Sequence, residues 1–428
     1  MVSQIPESSE RRSQRRSGDL RRILFVDDDD LILRSIARVL KQHALESGWE
    51  LSFVTDGDEA LKLLAQAPFD VVLVDAQMPR MSGATLLARV QELYPNTVRI
   101  VLSGHSDAAV LRPALRYAHQ VMQKPCDAHV LRNTLDSACG VRAIFSRPEL
   151  RPLVSGASEL PFLPRTYVEL GAARSMPGAS ARAIADIIER DVVLSARVLE
   201  LCASGAYRLP RPVSSIAGAV AFLGVELIKA LVLAVEVSQM FPVGRGVADF
   251  SLEALQKRGF AGGQLAKRIL GYEPNSDSVL QAGLLQDIGQ LVLASRAPQR
   301  FAIALQSSAS GKLPLYQAEL GLLGVTHAEI GASLLGLWGL PEKLVQTVAH
   351  HVQPNPAARS FDAAAALYVA NLLIENPDLP AQDSVPARAV ALDLHYLRSL
   401  GVAQHLEDWR RFARELTGDR APARAARP

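Results

Sequence analysis

Residues 70–83, DVVLVDAQMPRMSG, narrow the fold more than any other stretch of this chain. An apolar run over 71–74 stops at a carboxylate, Asp75. A short run of valine and leucine reads as a central strand of a parallel sheet, buried on both faces. Asp75 then falls at the strand's carboxyl end, where open α/β sheets place their reactive groups. Pro79 and Gly83 punctuate the loop that follows.

The same design recurs on either side. The apolar run 23–26 ends in four acids, Asp27 to Asp30, and 98–102 ends in Ser103-Gly104. A short strand around 121–123 ends in Lys124-Pro125. If these strands lie side by side, acids, a hydroxyl and an amine converge on one pocket. Two carboxylates about 4 Å apart repel by roughly 4 kcal/mol at an effective dielectric of 20. They stay ionised together with a cation between them, and oxygen-only ligands favour Mg²⁺. Mg²⁺, a hydroxyl and a lysine around a carboxylate are parts for phosphoryl transfer to that carboxylate.

The pattern predicts strands at 22–26, 50–55, 70–75, 98–102 and 120–123. Helices are expected at 31–45, 58–66, 83–93 and 106–117, with a last one from 127. The first helix is read with Leu31, Ile36, Val39 and Leu40 on one face. Five strands alternating with helices imply a doubly wound parallel (βα)5 sheet. His43, His105, His119 and His129 have no metal spacing and read as surface or loop residues.

Residues 21–140 resemble the receiver domain of a two-component response regulator. VDDDD, LVDAQMP with Gly83 four after the proline, LSG and QKP carry the resemblance, in the family's order. It implies that Asp75 is the phosphoacceptor for a partner histidine kinase or phosphotransfer protein. It also implies Mg²⁺ on Asp28, Asp75 and the backbone carbonyl of Gln77, with Asp27 acting through water. Ser103 would bond a phosphoryl oxygen and Lys124 would pair with it. One position departs from the family: its aromatic switch residue, three before the lysine, is Val121 here.

At 428 residues the chain has room for two or three domains. Residues 1–20 read as a disordered, Arg-rich tail, 141–158 as a linker, 159–355 as an all-helical domain, and 356–428 as a helical extension with a frayed end. Helices are expected at 179–190, with Asp191 as a cap, and at 193–203, 214–222 and 226–240. No β alternation is read there. Further helices are expected at 363–374, 387–399 and 404–416. A net charge of +2 gives no reason to expect nucleic acid binding. Cys126, Cys139 and Cys202 have no metal spacing and fit a reducing cytoplasm. The run 213–225 is too short for a bilayer, so no membrane is expected.

In the helical half, GLLQDIGQL at 283–291 sets an acid inside an apolar pattern, which is costly unless paired. His327, His350 and His351 follow. Residues 160–355 resemble the HDOD domain, a non-catalytic relative of the HD phosphohydrolases. LPFLP, IIERDVVLSARVLEL, YRLPRPVSSIAGAVAFLG, GLLQDIGQL, THAEIGASLLGLWGLPE and HH carry this resemblance. Against the catalytic HD pattern, the first His position holds Arg258, the His of the His-Asp pair is Gln286, and the last Asp position is Asn371. The expectation is a degenerate site at Arg258, Gln286, Asp287, His327, His350 and His351, with no metal and an Arg258–Asp287 ion pair kept for the fold.

These readings combine into a phosphorylation-controlled adaptor that is not an enzyme beyond its own phosphoryl chemistry. The helical domain's protein partner is unidentified and a homodimer is left open. The alternative is a metal-dependent HD-type phosphohydrolase of a cyclic dinucleotide or nucleotide.

Overall fold

The structure is a computed structural model of the full chain. It describes residues 21–104, 113–145, 161–174, 180–203, 213–243, 247, 250–271, 276–310, 313–385 and 390–418. The chain divides into two compact units, residues 1–143 with 158–162, and residues 144–157 with 163–428.

The first unit is built on β1 (Arg21–Val26), β2 (Trp49–Val54), β3 (Val71–Asp75), β4 (Val98–Ser103) and β5 (Gln120–Gln123). All pairings are parallel, in the order β2-β1-β3-β4-β5. The central strand β3 is buried throughout, as an unbroken apolar run requires when both faces are covered. The described helices are α1 (Asp30–Ser47), α2 (Gly57–Gln66), α3 (Gly83–Leu93) and α4 (Ala128–Phe145). Asp29, Asp56 and Ser82 cap the first three by accepting N–H bonds from the first turn.

Two expectations need correction here. The buried stripe of α1 is Leu33, Leu40 and Ala44, whereas Leu31 and Val39 are exposed. The helix has more apolar residues than one sheet-facing stripe can use. His119 is fully buried rather than at the surface. Its Nδ1 accepts from the backbone N–H of Arg99 at 2.9 Å, inside a buried guanidinium network that needs polar partners. The helix expected at 106–117 falls mostly outside the described residues, as does His105.

The second unit is helical. It contains α5 (Arg165–Arg174), α6 (Ala181–Ile188), α7 (Val192–Ala203), α8 (Ile216–Leu223), α9 (Val225–Met240), α10 (Leu252–Leu270), α11 (Ser276–Leu285), α12 (Ile288–Arg296), α13 (Pro298–Ala309), α14 (Leu315–Leu323), α15 (His327–Leu337), α16 (Glu342–Ala349), α17 (Ala363–Glu375), α18 (Leu394–Ser399) and α19 (Leu406–Thr417). Asp191 accepts from the N–H of Leu194 at 2.9 Å, the cap expected of it. Most of α9 is buried all round, so it forms the middle of this unit. α10 packs along α11 and α17, and α12 packs on α15.

Two differences from expectation stand out. A short parallel pair, Ala381–Gln382 with Leu392–Asp393, interrupts the helices. Two residues per strand are too few to show an alternation in sequence. The helix expected over 387–399 begins only at Leu394, capped by Asp393, and residues 387–389 lie outside the described set. Among the described residues, no single helix is long and apolar enough to cross a membrane.

Candidate functional site

Strand register explains the first cluster. Val26 pairs with Val74, Asp75 with Leu102, and Ser103 with Gln123. Asp27, Asp75, Ser103 and Lys124 therefore lie at neighbouring strand ends on one edge of the sheet. The order of strands reverses between β1 and β3, which places Asp27 and Asp75 at the switch point of the sheet.

Lys124 Nζ lies 2.6 Å from Asp27 Oδ2 and 2.6 Å from Asp75 Oδ1. Burial pushes the Asp75 carboxyl above its usual range, against the pull of Lys124, and nearby Asp27 adds to the rise. Burial works against the charge on Lys124, but its bonds to Asp27 and Asp75 outweigh it and raise its pKa. The backbone N–H of Gln77 donates to Asp75 Oδ2 at 3.2 Å, and the Ser103 hydroxyl donates to the Gly104 carbonyl at 3.2 Å. Asp28 is exposed, yet carboxylate oxygens of Asp27, Asp28 and Asp75 lie within 4.8 Å of one another. Three hard oxygen donors at that separation fit a Mg²⁺ ion. Val121 is part-buried in β5 and packs against the core of the unit.

α3 needs a glycine to start where it does. A Cβ on Gly83 would sit 2.1 Å from the Asp75 carbonyl oxygen, so only glycine lets the helix close over the strand end.

The second cluster lies in the helical unit, on a cavity of about 510 Å³ lined by Arg258, Gln286, Asp287, His327, His351 and Asn371, among others. Arg258 Nη2 is 2.9 Å from Asp287 Oδ2, and its Nη1 is 3.7 Å from Glu375 Oε1. Burial opposes ionisation of Asp287, but Arg258 first and then His327 outweigh it and hold the carboxyl below its usual range. His327 Nε2 lies 3.5 Å and His351 Nε2 3.9 Å from Asp287 Oδ1. Burial opposes a charge on His327, but Glu319 prevails and raises its pKa. Burial, with His327 beside it, drops the His351 ring to about 4. At neutral pH His351 is therefore an uncharged neighbour of Asp287, and their proximity is not an ion pair.

Gln286 and Asn371 bond each other, with Asn371 Nδ2 donating to Gln286 Oε1 at 2.7 Å and Gln286 Nε2 donating to Asn371 Oδ1 at 3.3 Å. His350 is outside the cavity, a correction to its place in the degenerate set. It follows α16 as a part-buried cap residue, whereas the next position, His351, is buried and lines the cavity. Two groups were missed from sequence. Glu319 is fully buried and accepts from His327 Nδ1 at 2.7 Å, and Gln290 donates to Asp287 Oδ1 at 2.5 Å. A glutamate at an inward position of the apolar helix α14 was the available signal for the first.

Comparison with known proteins adds the following. Residues 23–136 match the response regulator receiver domain and residues 160–354 match the HDOD domain. An uncharacterized protein of Treponema pallidum is 25% identical over 217 residues, 50% of this chain and 42% of that protein. The hydrogenase transcriptional regulatory protein HoxA of Bradyrhizobium diazoefficiens is 33% identical over 118 residues, 27% of this chain and 23% of that protein. The chain thus spans less than half the length of these curated relatives. An HDOD domain protein of Geobacter sulfurreducens, of unknown function, is 25% identical over 62% of this chain and 96% of that one, with a TM-score of 0.42. The receiver domain of an HD domain-containing protein from Pseudomonas fluorescens is 30% identical over 32% of this chain and 98% of that one, with a TM-score of 0.29. The chain therefore carries an N-terminal receiver domain of the response regulator kind, over 23–136, followed by a C-terminal HDOD domain, over 160–354.

Proposed function

We propose that Asp75 accepts a phosphoryl group from a histidine kinase or phosphotransfer protein, and that the modification alters protein–protein contacts of the HDOD domain. The observation that carries this is the Asp75 carboxylate held beside Lys124, Asp27 and Asp28 at one sheet edge. In the transfer, an Asp75 carboxylate oxygen forms a bond to phosphorus as the donor's P–N bond breaks, and the imidazole leaves with that electron pair. Mg²⁺, held by Asp27, Asp28, Asp75 and the Gln77 carbonyl, would neutralise the phosphoryl oxygens. Lys124 is placed to trade its bond to Asp75 for one to a phosphoryl oxygen. The Ser103 hydroxyl, now turned to the Gly104 carbonyl, is placed to donate to another.

The HDOD half acts as a binding module rather than a hydrolase. Arg258 stands where a ligand is needed in the catalytic pattern, and Gln286 and Asn371 are spent on each other. A cytoplasmic location follows from a histidine kinase as donor. Acetyl phosphate with Mg²⁺ should label the wild-type chain at one site, and Asp75→Asn should abolish the label. Undiminished labelling of Asp75→Asn sinks the assignment.

A further inference from the structure

We propose that Phe162 is a latch by which the receiver holds the chain just before it enters the helical unit, and that a change at the Asp75 edge reaches the helices through it. Phe162 falls within the matched HDOD residues, yet it belongs to the first compact unit, and the next residue, Leu163, belongs to the second. Its ring stacks on the His119 imidazole, with centroids 5.3 Å apart and planes 9° from parallel. The Arg99 guanidinium lies 5.3 Å from the centre of the same ring. Arg99 and His119 are both fully buried. A buried guanidinium is costly unless its donors are used. Arg99 Nε donates to the Tyr117 carbonyl at 2.7 Å, and Nη1 to the Thr97 and Pro95 carbonyls at 3.0 and 3.3 Å. Its Nη2 faces His119 Nε2 at 3.0 Å. A desolvated guanidinium attracts an aromatic face within about 6 Å, so a ring is the side chain this network accepts.

The joint after the latch is short and stiff. Pro164 has a fixed φ and favours an extended Leu163 before it. α5 starts at Arg165, and its first turn is tied to the middle helix of the second unit. There Glu236 of α9 accepts from the backbone N–H of Thr166 at 3.2 Å and of Tyr167 at 3.3 Å. Only residues 163–165 separate a side chain gripped by the receiver from backbone gripped by the helices. The latch also has a route to Asp75. His119 immediately precedes β5, and Lys124, which bonds Asp75, immediately follows it. β5 is a four-residue rod with that lysine at one end and the Phe162 contact at the other. The two arrangements that such coupling needs are Phe162 seated and Phe162 released. This signalling half rests on Asp75 as the phosphoacceptor, whereas the latch itself does not.

The test is hydrogen exchange on the full chain, read over residues 163–174, with circular dichroism as the check on folding. In the unmodified chain, Phe162→Ala and His119→Gln should each speed exchange of the Thr166 and Tyr167 amides several-fold. The double variant should go little beyond either, because both substitutions break one contact. Phe162→Tyr keeps the ring and should exchange as the wild type does. Where His119→Gln fails to fold, Phe162→Leu, which keeps an apolar side chain without a ring, decides in its place. Unchanged exchange in Phe162→Ala, fully additive effects, or wild-type exchange in Phe162→Leu overturns the latch. With acetyl phosphate and Mg²⁺, the wild-type chain labelled at Asp75 should change its exchange over 163–174, and equally labelled Phe162→Ala should not. A change that survives in Phe162→Ala overturns the route from Asp75. Failure of the wild-type chain to label removes Asp75 as the acceptor, and the signalling half falls with it, while the latch stands or falls on the unmodified chain.

Discussion

Four consecutive aspartates do four different things here. Asp27 is buried against Lys124, and Asp28 is exposed at the rim of the acidic cluster. Asp29 caps α1, and Asp30 pairs with Arg34 one turn along at 2.6 Å. The two histidines of the helical cluster also differ, and their difference makes a pH prediction. His351 is held at about 4, below the roughly 6.5 expected of an unfolded histidine. The folded state therefore binds fewer protons in that window, and the stability this ring contributes is present above pH 6.5 and lost as pH falls towards 4. The full loss is about 3 kcal/mol. His327 has the opposite sign. Its raised pKa gives stability that is present below 6.5 and lost as pH rises through its folded value. Urea midpoints of the helical unit should fall between pH 6.5 and 4.5, and His351→Gln should flatten that fall. An equal slope in the variant would mean the ring is not held neutral.

At the scale of elements, glycine sets which helices touch. A Cβ on Gly289 would sit 2.0 Å from the His327 carbonyl oxygen, so α12 reaches α15 only because that position lacks a side chain. Gly289→Ala and Gly83→Ala must each push backbone aside, and each should cost about 1–3 kcal/mol. Gly321, in α14, has nothing within 4 Å of an added Cβ. Gly321→Ala should stabilise by about 0.4–1 kcal/mol. Chemical unfolding of the three variants checks both signs. These contacts also mark the limit of sequence reading. The five strands were legible because each apolar run ends at a polar group, and parallel pairing then forces those ends together. Which face of α1 is buried was not legible, because Leu31 and Val39 continue the apolar pattern past the sheet. His119 and Glu319 were missed for a related reason. A polar residue goes inside when a distant partner satisfies it, and Arg99 and His327 are 20 and 8 residues away. His350 and His351 are adjacent in sequence, and only the geometry at the end of α16 chooses between them.

At the scale of the whole molecule, two units with separate cores should respond separately to ligands. A ligand that binds only the folded state stabilises by RT ln(1 + [L]/Kd), about 2.7 kcal/mol at one hundred times Kd. Mg²⁺ should raise the unfolding transition of the receiver unit, and Asp28→Asn should remove most of that gain. Phosphorylation is the informative case, because a signal must cross between the units as free energy. Acetyl phosphate with Mg²⁺ should shift the helical transition as well, by about 1–3 kcal/mol if the two units are coupled as allosteric sites usually are. Driving the output from about 1% to 99% active would need roughly 5.5 kcal/mol, so a shift of that smaller size describes a graded response. Val121 is partly buried against the receiver core and has no aromatic ring to swing. A helical transition that stays fixed when the wild-type chain is fully phosphorylated would leave the receiver with no output through this domain, and the adaptor reading would fail.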